Sequence, residues 1–453
     1  MTKDGSRDIA QFPQDVAGLP RRRFMQQILG AAAAASVLPR HVWGDPAASL
    51  ESLDGAARHM PAEDTGDEAF WHLVKKQFML RDGLIMLNAA NLCPSPYPVQ
   101  QTVFALTRDM DRDPSSINRR KFSGLREKSR ESLAGYLGAD PDEIALTRNT
   151  SEGNNIVIGG LTFKPGDEVV IWDENHPTAN IAWDVRADRY GFEVKRVKIP
   201  PVFDSAEELI RPFREALSGR TRILCFSHLS NLSGVALPAR AICRMARERG
   251  VLTHIDGAQT FGSQKVDLHD MGCDYYTGSA HKWFVGPREV GVLYVRRERI
   301  PGLWPSIVGV GYSQELEGDA RKFETLGQRD DARIAAMAAT VDFHSTLGVA
   351  RIEKRIKRLA AALKSLLMKH VPGVRFHTPL RPEDSGGVVV FSAPDIDLPN
   401  ALNTLYHEHA IGAAVFGGEL AGIRLCPHIY NTLEEMELAA RAVASLVGDG
   451  PLP

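Results

Sequence analysis

The 453-residue chain is long enough for two domains with substantial cores. Its 54 lysines and arginines against 56 aspartates and glutamates leave a formal charge of −2, so nothing in the balance calls for nucleic acid as a partner. Five cysteines, Cys93, Cys225, Cys243, Cys273 and Cys426, show no C-x-x-C or zinc-like spacing. Their odd number and apolar surroundings read as buried free thiols, which argues against a disulfide framework and gives no metal site.

In chain order, the first feature is Arg21-Arg22-Arg23-Phe24-Met25, followed by Ile28-Leu29-Gly30 and alanines from Ala31 to Ala35. A charged stretch, a short, weakly apolar run and small residues near Ala35-Ser36 describe a signal peptide over residues 1–50. The arginines before a phenylalanine resemble a twin-arginine signal, whose export machinery carries proteins already folded. The expectation is therefore a periplasmic or otherwise exported enzyme. The apolar run ends at Pro39-Arg40, well short of the ~20 residues that a stable membrane anchor needs.

Residues 51–95 are charged and irregular until a short strand at Leu84-Ile85-Met86-Leu87-Asn88. A helix is predicted from Phe104 through Leu137. From Glu143 strands and helices alternate: strands at 169–172, 194–197, 223–226, 251–255, 275–277 and 292–295, helices at 207–217 and 239–249. Such alternation predicts an α/β domain, residues 96–315, whose largely parallel sheet is covered on both faces. The rest, 316–453, reads as a smaller α+β domain with helices at 332–347 and 352–370 and a strand at 387–391. Its last helix opens on the capping box Thr432-Leu433-Glu434-Glu435.

Two of the predicted strands end on chemistry. Val251-Leu252-Thr253-His254-Ile255 runs into Asp256-Gly257-Ala258-Gln259, and the next strand runs into Ser279-Ala280-His281-Lys282-Trp283. Carboxyl ends of strands in open α/β sheets converge on one crevice where ligands bind. A buried lysine near a carboxylate can stay neutral and nucleophilic and form a Schiff base with an aldehyde. The carboxylate can then keep a proton on the pyridine nitrogen of pyridoxal 5'-phosphate, so that the ring withdraws electrons from a substrate carbanion.

From about Leu87 to Val447 the chain resembles the class V aminotransferase group of fold-type I pyridoxal phosphate enzymes, closest in look to isopenicillin N epimerase-like proteins. The resemblance rests on Asp-Gly-Ala-Gln followed by Ser-x-His-Lys. It implies a mostly parallel seven-stranded sheet in the large domain, packing of residues 51–95 with the small domain, and a homodimer. It also implies Lys282 as the cofactor-bearing lysine and proton shuttle, Asp256 on the ring nitrogen, and His176, in Asp173-Glu174-Asn175-His176-Pro177, stacked on the ring. Thr150 and Ser151 open a helix whose dipole and free N–H groups suit a phosphate, and Ser279 and His281 are expected to reach the same phosphate. Gln259 and Asn231 are expected near the ring's phenolic oxygen. Gln328 stands where the family has a threonine donated across the dimer interface. Arg424 is the expected partner of a substrate α-carboxylate, with Asn91 as a weaker contact.

The reaction is less specified than the cofactor. Cysteine desulfurases need a mobile nucleophilic cysteine shortly before that arginine, and the interval from His409 to Gly422 contains none. Aminotransferase- or epimerase-type chemistry on an amino acid or a peptide-linked substrate is the leading expectation. A lyase, or oxidative modification of a peptide side chain of the siderophore-maturation type, is the alternative, and a catalytically silent binding protein is a third.

Overall fold

The computed structural model describes residues 46–59, 67–200, 202–313 and 316–447. The arginine- and alanine-rich part of the expected twin-arginine leader, residues 21–36, lies outside the described residues. Among the described residues no helix is long and apolar enough to cross a membrane.

The chain enters through the helices Pro46–His59 and Glu68–Lys75. Asp67 caps the second by accepting the N–H groups of Ala69 and Phe70 at 2.9 and 3.3 Å, and Phe70, Trp71 and Val74 are buried. Strand β1, Ile85–Met86, then pairs in parallel with β11, Ile411–Gly412, so the amino-terminal segment is joined to the carboxyl-terminal part of the chain. The helix expected from Phe104 to Leu137 is two helices, Tyr97–Arg112 and Ser116–Leu137. Pro114 disfavours helical geometry at Asp113, whose carboxylate accepts the Ser115 N–H, and Ser115 caps the second helix.

The central sheet has seven strands: β2 Ile144–Thr147, β3 Glu168–Trp172, β4 Glu193–Val197, β5 Thr221–Ser227, β6 Leu252–Asp256, β7 Tyr275–Ser279 and β8 Gly291–Val295. Their order is β2-β8-β7-β6-β5-β3-β4; β8 runs antiparallel to both neighbours and the other pairings are parallel. β3 shows why the strands read as continuous apolar runs. Val170 and Trp172 belong to one core cluster and Val169 and Ile171 to another, so both faces are covered.

A second sheet, β9 Arg375–Phe376, β10 Val389–Ser392, β12 Ala414–Phe416 and β13 Gly422–Leu425, has the antiparallel order β12-β13-β10-β9. The helices Val349–His370, Leu398–His407 and Leu433–Ala444 contribute with it to one apolar core. Thr432 and Glu435 form the expected reciprocal capping box. The helix Asp331–Leu347, which follows residue 316, packs on the helices 97–112 and 116–137. The segment 320–324 likewise packs on β2, where Glu324 accepts the Leu146 N–H and meets the buried Arg130.

Candidate active site

Register places the site. Ser227, Asp256 and Thr277 are neighbours across β5, β6 and β7, and Asp256 is the last residue of its strand. Both carboxylate oxygens of Asp256 are engaged: Oδ1 accepts the Ala258 N–H at 2.9 Å and Oδ2 accepts Asn154 Nδ2 at 3.1 Å. Gly257 is demanded by close approach, because a Cβ there would lie 2.0 Å from Tyr276 Cζ.

Lys282 lies in the turn after β7, where its carbonyl accepts the Val285 N–H at 2.9 Å. Val285 itself holds φ at 50°, a costly value for a β-branched residue, so the turn is held by its surroundings. The Gly286 N–H closes the loop on the Ala280 carbonyl at 2.7 Å. No hydrogen-bond acceptor sits on Lys282 Nζ among the described residues. Burial pulls its ammonium below the ordinary lysine value; the Asp256 carboxylate opposes this and the Arg424 guanidinium adds to it.

His176 caps the helix Pro177–Tyr190, its Nδ1 accepting the Thr178 N–H at 3.3 Å, which assigns the remaining ring proton to Nε2. Burial and the Lys282 ammonium lower its proton affinity, Asp256 opposes, and Arg424 adds to the lowering. The imidazole is therefore neutral near pH 7. Two residues earlier, Glu174 accepts the hydroxyls of Ser230 and Ser233 and ties this loop to the one carrying Asn231.

At the start of the helix Thr150–Gly160, Thr150 meets Ser279 twice: its N–H donates to Ser279 Oγ at 2.8 Å, and the two hydroxyls lie 2.8 Å apart. Asn149 caps the helix through the Glu152 N–H, which leaves the Ser151 N–H without an acceptor among the described residues. His281 is half-buried just beyond the end of β7, so strand alternation does not govern its direction. Burial, with Lys282 and Arg288 nearby, depresses it to about 4.

Arg424, in β13, is buried. Its Nη1 donates to the Asn231 carbonyl and its Nη2 to Asn88 Oδ1, both at 3.0 Å, and the guanidinium lies 4.8 Å from the Phe416 ring centroid. Among the described residues the Nε–H has no acceptor, and each Nη, with one bond made, keeps a second hydrogen for a carboxylate.

Three of the expected site residues have protein contacts that bear on their roles. The asparagine that touches Arg424 is Asn88, whereas Asn91 is exposed in the following turn and only its backbone bonds back to Asn88. Gln259 is a brace: Nε2 donates to the Ala90 carbonyl at 3.1 Å and Oε1 accepts the Trp283 indole N–H at 2.7 Å, which leaves one amide hydrogen for any ring oxygen. Gln328 is exposed, and its Oε1 accepts Arg119 of the same chain at 2.6 Å. Asn154, Asn88 and Glu174 escaped sequence reasoning. The one available signal was the pair Asn154-Asn155 inside a helix, a residue type that helix interiors disfavour.

The residues present fit pyridoxal phosphate: an unpartnered, depressed lysine amine, an oriented buried carboxylate, and a helix start with a free N–H beside two hydroxyls. The sequence model of the "Aminotransferase class-V" family matches residues 115–442. Isopenicillin N epimerase of Amycolatopsis lactamdurans is 32% identical over 395 residues, covering 83% of this chain and 98% of the relative. The epimerase of Streptomyces clavuligerus is 30% identical over 397 residues, 84% of this chain and 99% of the relative. A probable cysteine desulfurase of Methanothermobacter thermautotrophicus is 29% identical over 402 residues, 82% and 96% respectively. Among solved structures, C-DES with glycine covalently linked to its PLP cofactor superposes with a TM-score of 0.75 at 24% identity, over 82% of this chain and 99% of that one, a likeness of fold. The chain belongs to the class V aminotransferase family, and its cofactor is pyridoxal phosphate.

Proposed function

We propose that this protein is an exported enzyme that labilises the Cα proton of an amino acid, free or peptide-linked, with epimerisation or transamination as the outcome. One observation carries the reading. The charges of Lys282, Asp256 and Arg424 act on His176, and those of Asp256 and Arg424 act on Lys282, as expected of groups that share one site. Bound pyridoxal phosphate supplies the aldehyde that captures an amine and the ring that makes a Cα proton acidic. Arg424 orients the substrate carboxylate through the donors that Asn88 and Asn231 leave free, and thereby selects the bond presented for cleavage. Lys282, whose amine is accessible because its proton affinity is depressed, takes the Cα proton and can return it. His176 covers the site as a neutral ring with a donor at Nε2.

The thiols favour this over desulfuration, although desulfurases are among the relatives. Cys93 and Cys426 are both buried, and burial pushes the Cys93 thiol up to about 12, against the thiolate that desulfuration needs. A second copy of the chain is the proposed partner, supported by the exposed apolar run Trp304, Ile307, Val308 and Val310.

The test is a panel of free and peptide-linked amino acids incubated with holoenzyme in deuterium oxide. Deuterium at Cα with inverted configuration marks an epimerase, and an oxo acid marks a transaminase. Loss of a side-chain group marks the lyase alternative. Absence of any Cα exchange across substrates that bind would refute the proposal.

A further inference from the structure

Asn154 connects three elements beneath the site. It is the fifth residue of the helix Thr150–Gly160 and is buried, as are Asp256 and Thr277. Its Nδ2 donates to Asp256 Oδ2 at 3.1 Å and its Oδ1 accepts the Thr277 hydroxyl at 2.7 Å. Thr277 stands directly across from Asp256 in the β6–β7 register. The amide cannot be turned round without setting its oxygen against the carboxylate, so the Thr277 hydroxyl fixes which end faces Asp256. The preceding residue makes the approach possible. A Cβ on Gly153 would lie 2.8 Å from Thr277 Cγ2, so only glycine lets the helix come this close to β7.

We propose that Asn154, held by Thr277, is a positioning residue for Asp256 that determines how firmly the ring nitrogen of the cofactor keeps its proton. The inference rests on the reading of Asp256 as the ring-nitrogen partner. Two effects run in one direction. The amide holds the carboxylate where it faces the ring, and a carboxylate that swings away ceases to favour a protonated pyridine. Donation to Oδ2 also stabilises the charged form of Asp256, which keeps the shared proton on the ring rather than on the carboxyl. The titratable groups that feel the charge of Asp256 are Lys282, His176, His254 in the same strand, Cys225 in β5 and Tyr276 in β7.

The experiment uses holoenzyme reconstituted with pyridoxal phosphate labelled with nitrogen-15 in the ring, the ring-nitrogen shift being followed against pH. Wild-type enzyme is expected to hold a protonated ring across neutral pH. Asn154→Leu, which keeps volume and removes the donor, is expected to lose ring protonation at least one pH unit lower. Its turnover is expected to fall about tenfold with the cofactor still bound. Thr277→Val, which leaves the amide unoriented, is expected to shift the titration in the same direction by less, and it carries the test should Asn154→Leu fail to fold. Ring titrations in both variants that superpose on wild type, while Asp256→Ala loses the ring proton, would overturn the role of Asn154 alone. A wild-type ring that is unprotonated, or is unaffected by Asp256→Ala, would overturn the Asp256 reading and this inference with it.

Discussion

Lys282 would be an ordinary cation if an acceptor sat on its Nζ. The absence of one among the described residues, with burial and Arg424 disfavouring the charge, leaves an amine that can react. Substituting alanine is expected to abolish the cofactor adduct trapped by borohydride, read as the loss of the mass increment on the peptide carrying residue 282. At the substrate end, Arg424 holds a planar fork between Asn88 and the Asn231 carbonyl. Arg424→Lys keeps the charge and loses the fork. The expected result is a fall of about 100-fold in kcat/KM for substrates with an α-carboxylate, corresponding to roughly 3 kcal/mol, and a much smaller fall for their carboxamides.

Close contacts between elements set the geometry on which those residues depend. The turn after β6 brings Gly257 against Tyr276, and Gly257→Ala must displace that ring or the strand. A loss of about 1–3 kcal/mol or more is expected, seen as a lowered melting temperature together with weaker cofactor retention. Strand ends were legible in the sequence because apolar runs stopped at residues that no buried strand tolerates without purpose. Asp256, Ser279 and Lys282 stood out in this way, and so did the helix start at Thr150. Lateral contacts were not legible. Asn88 reaches Arg424, Gln259 is taken up by Ala90 and Trp283, and Asn154 reaches Asp256, all through pairings far apart in sequence that no local pattern encodes. The break at Pro114 was local and could have been read from the proline; the apolar periodicity on either side concealed it.

Among the described residues, four histidines are buried in neutral form. Burial depresses His228, His254 and His344 to about 4 and His428 to about 3, against about 6.5 in an unfolded chain. Between those values the unfolded state binds more protons, so stability rises with pH there. Their contribution is complete above about pH 6.5 and is lost as pH falls toward 4, at up to about 1.4 kcal/mol per pH unit for each histidine. Urea midpoints measured from pH 7 to pH 4.5 are expected to fall steeply, and His344→Phe is expected to reduce the slope. For the proposed leader, replacing Arg21 and Arg22 with lysine is expected to leave folded, cofactor-loaded protein in the cytoplasm, as cell fractionation would show.

The bond between Arg424 and Asn88 closes a span of 336 residues. At ~5–20 residues per second a ribosome needs roughly 20–70 s to traverse it. Residue 88 and the stretch before it are therefore outside the ribosome long before the arginine that completes the proposed substrate anchor has been made. A nascent chain halted just before residue 424 would carry Lys282, Asp256 and the helix start at Thr150, yet would lack the guanidinium proposed to grip a carboxylate. Assembly of this site therefore has to wait for residue 424, and the proposed export of folded cargo would have to wait with it.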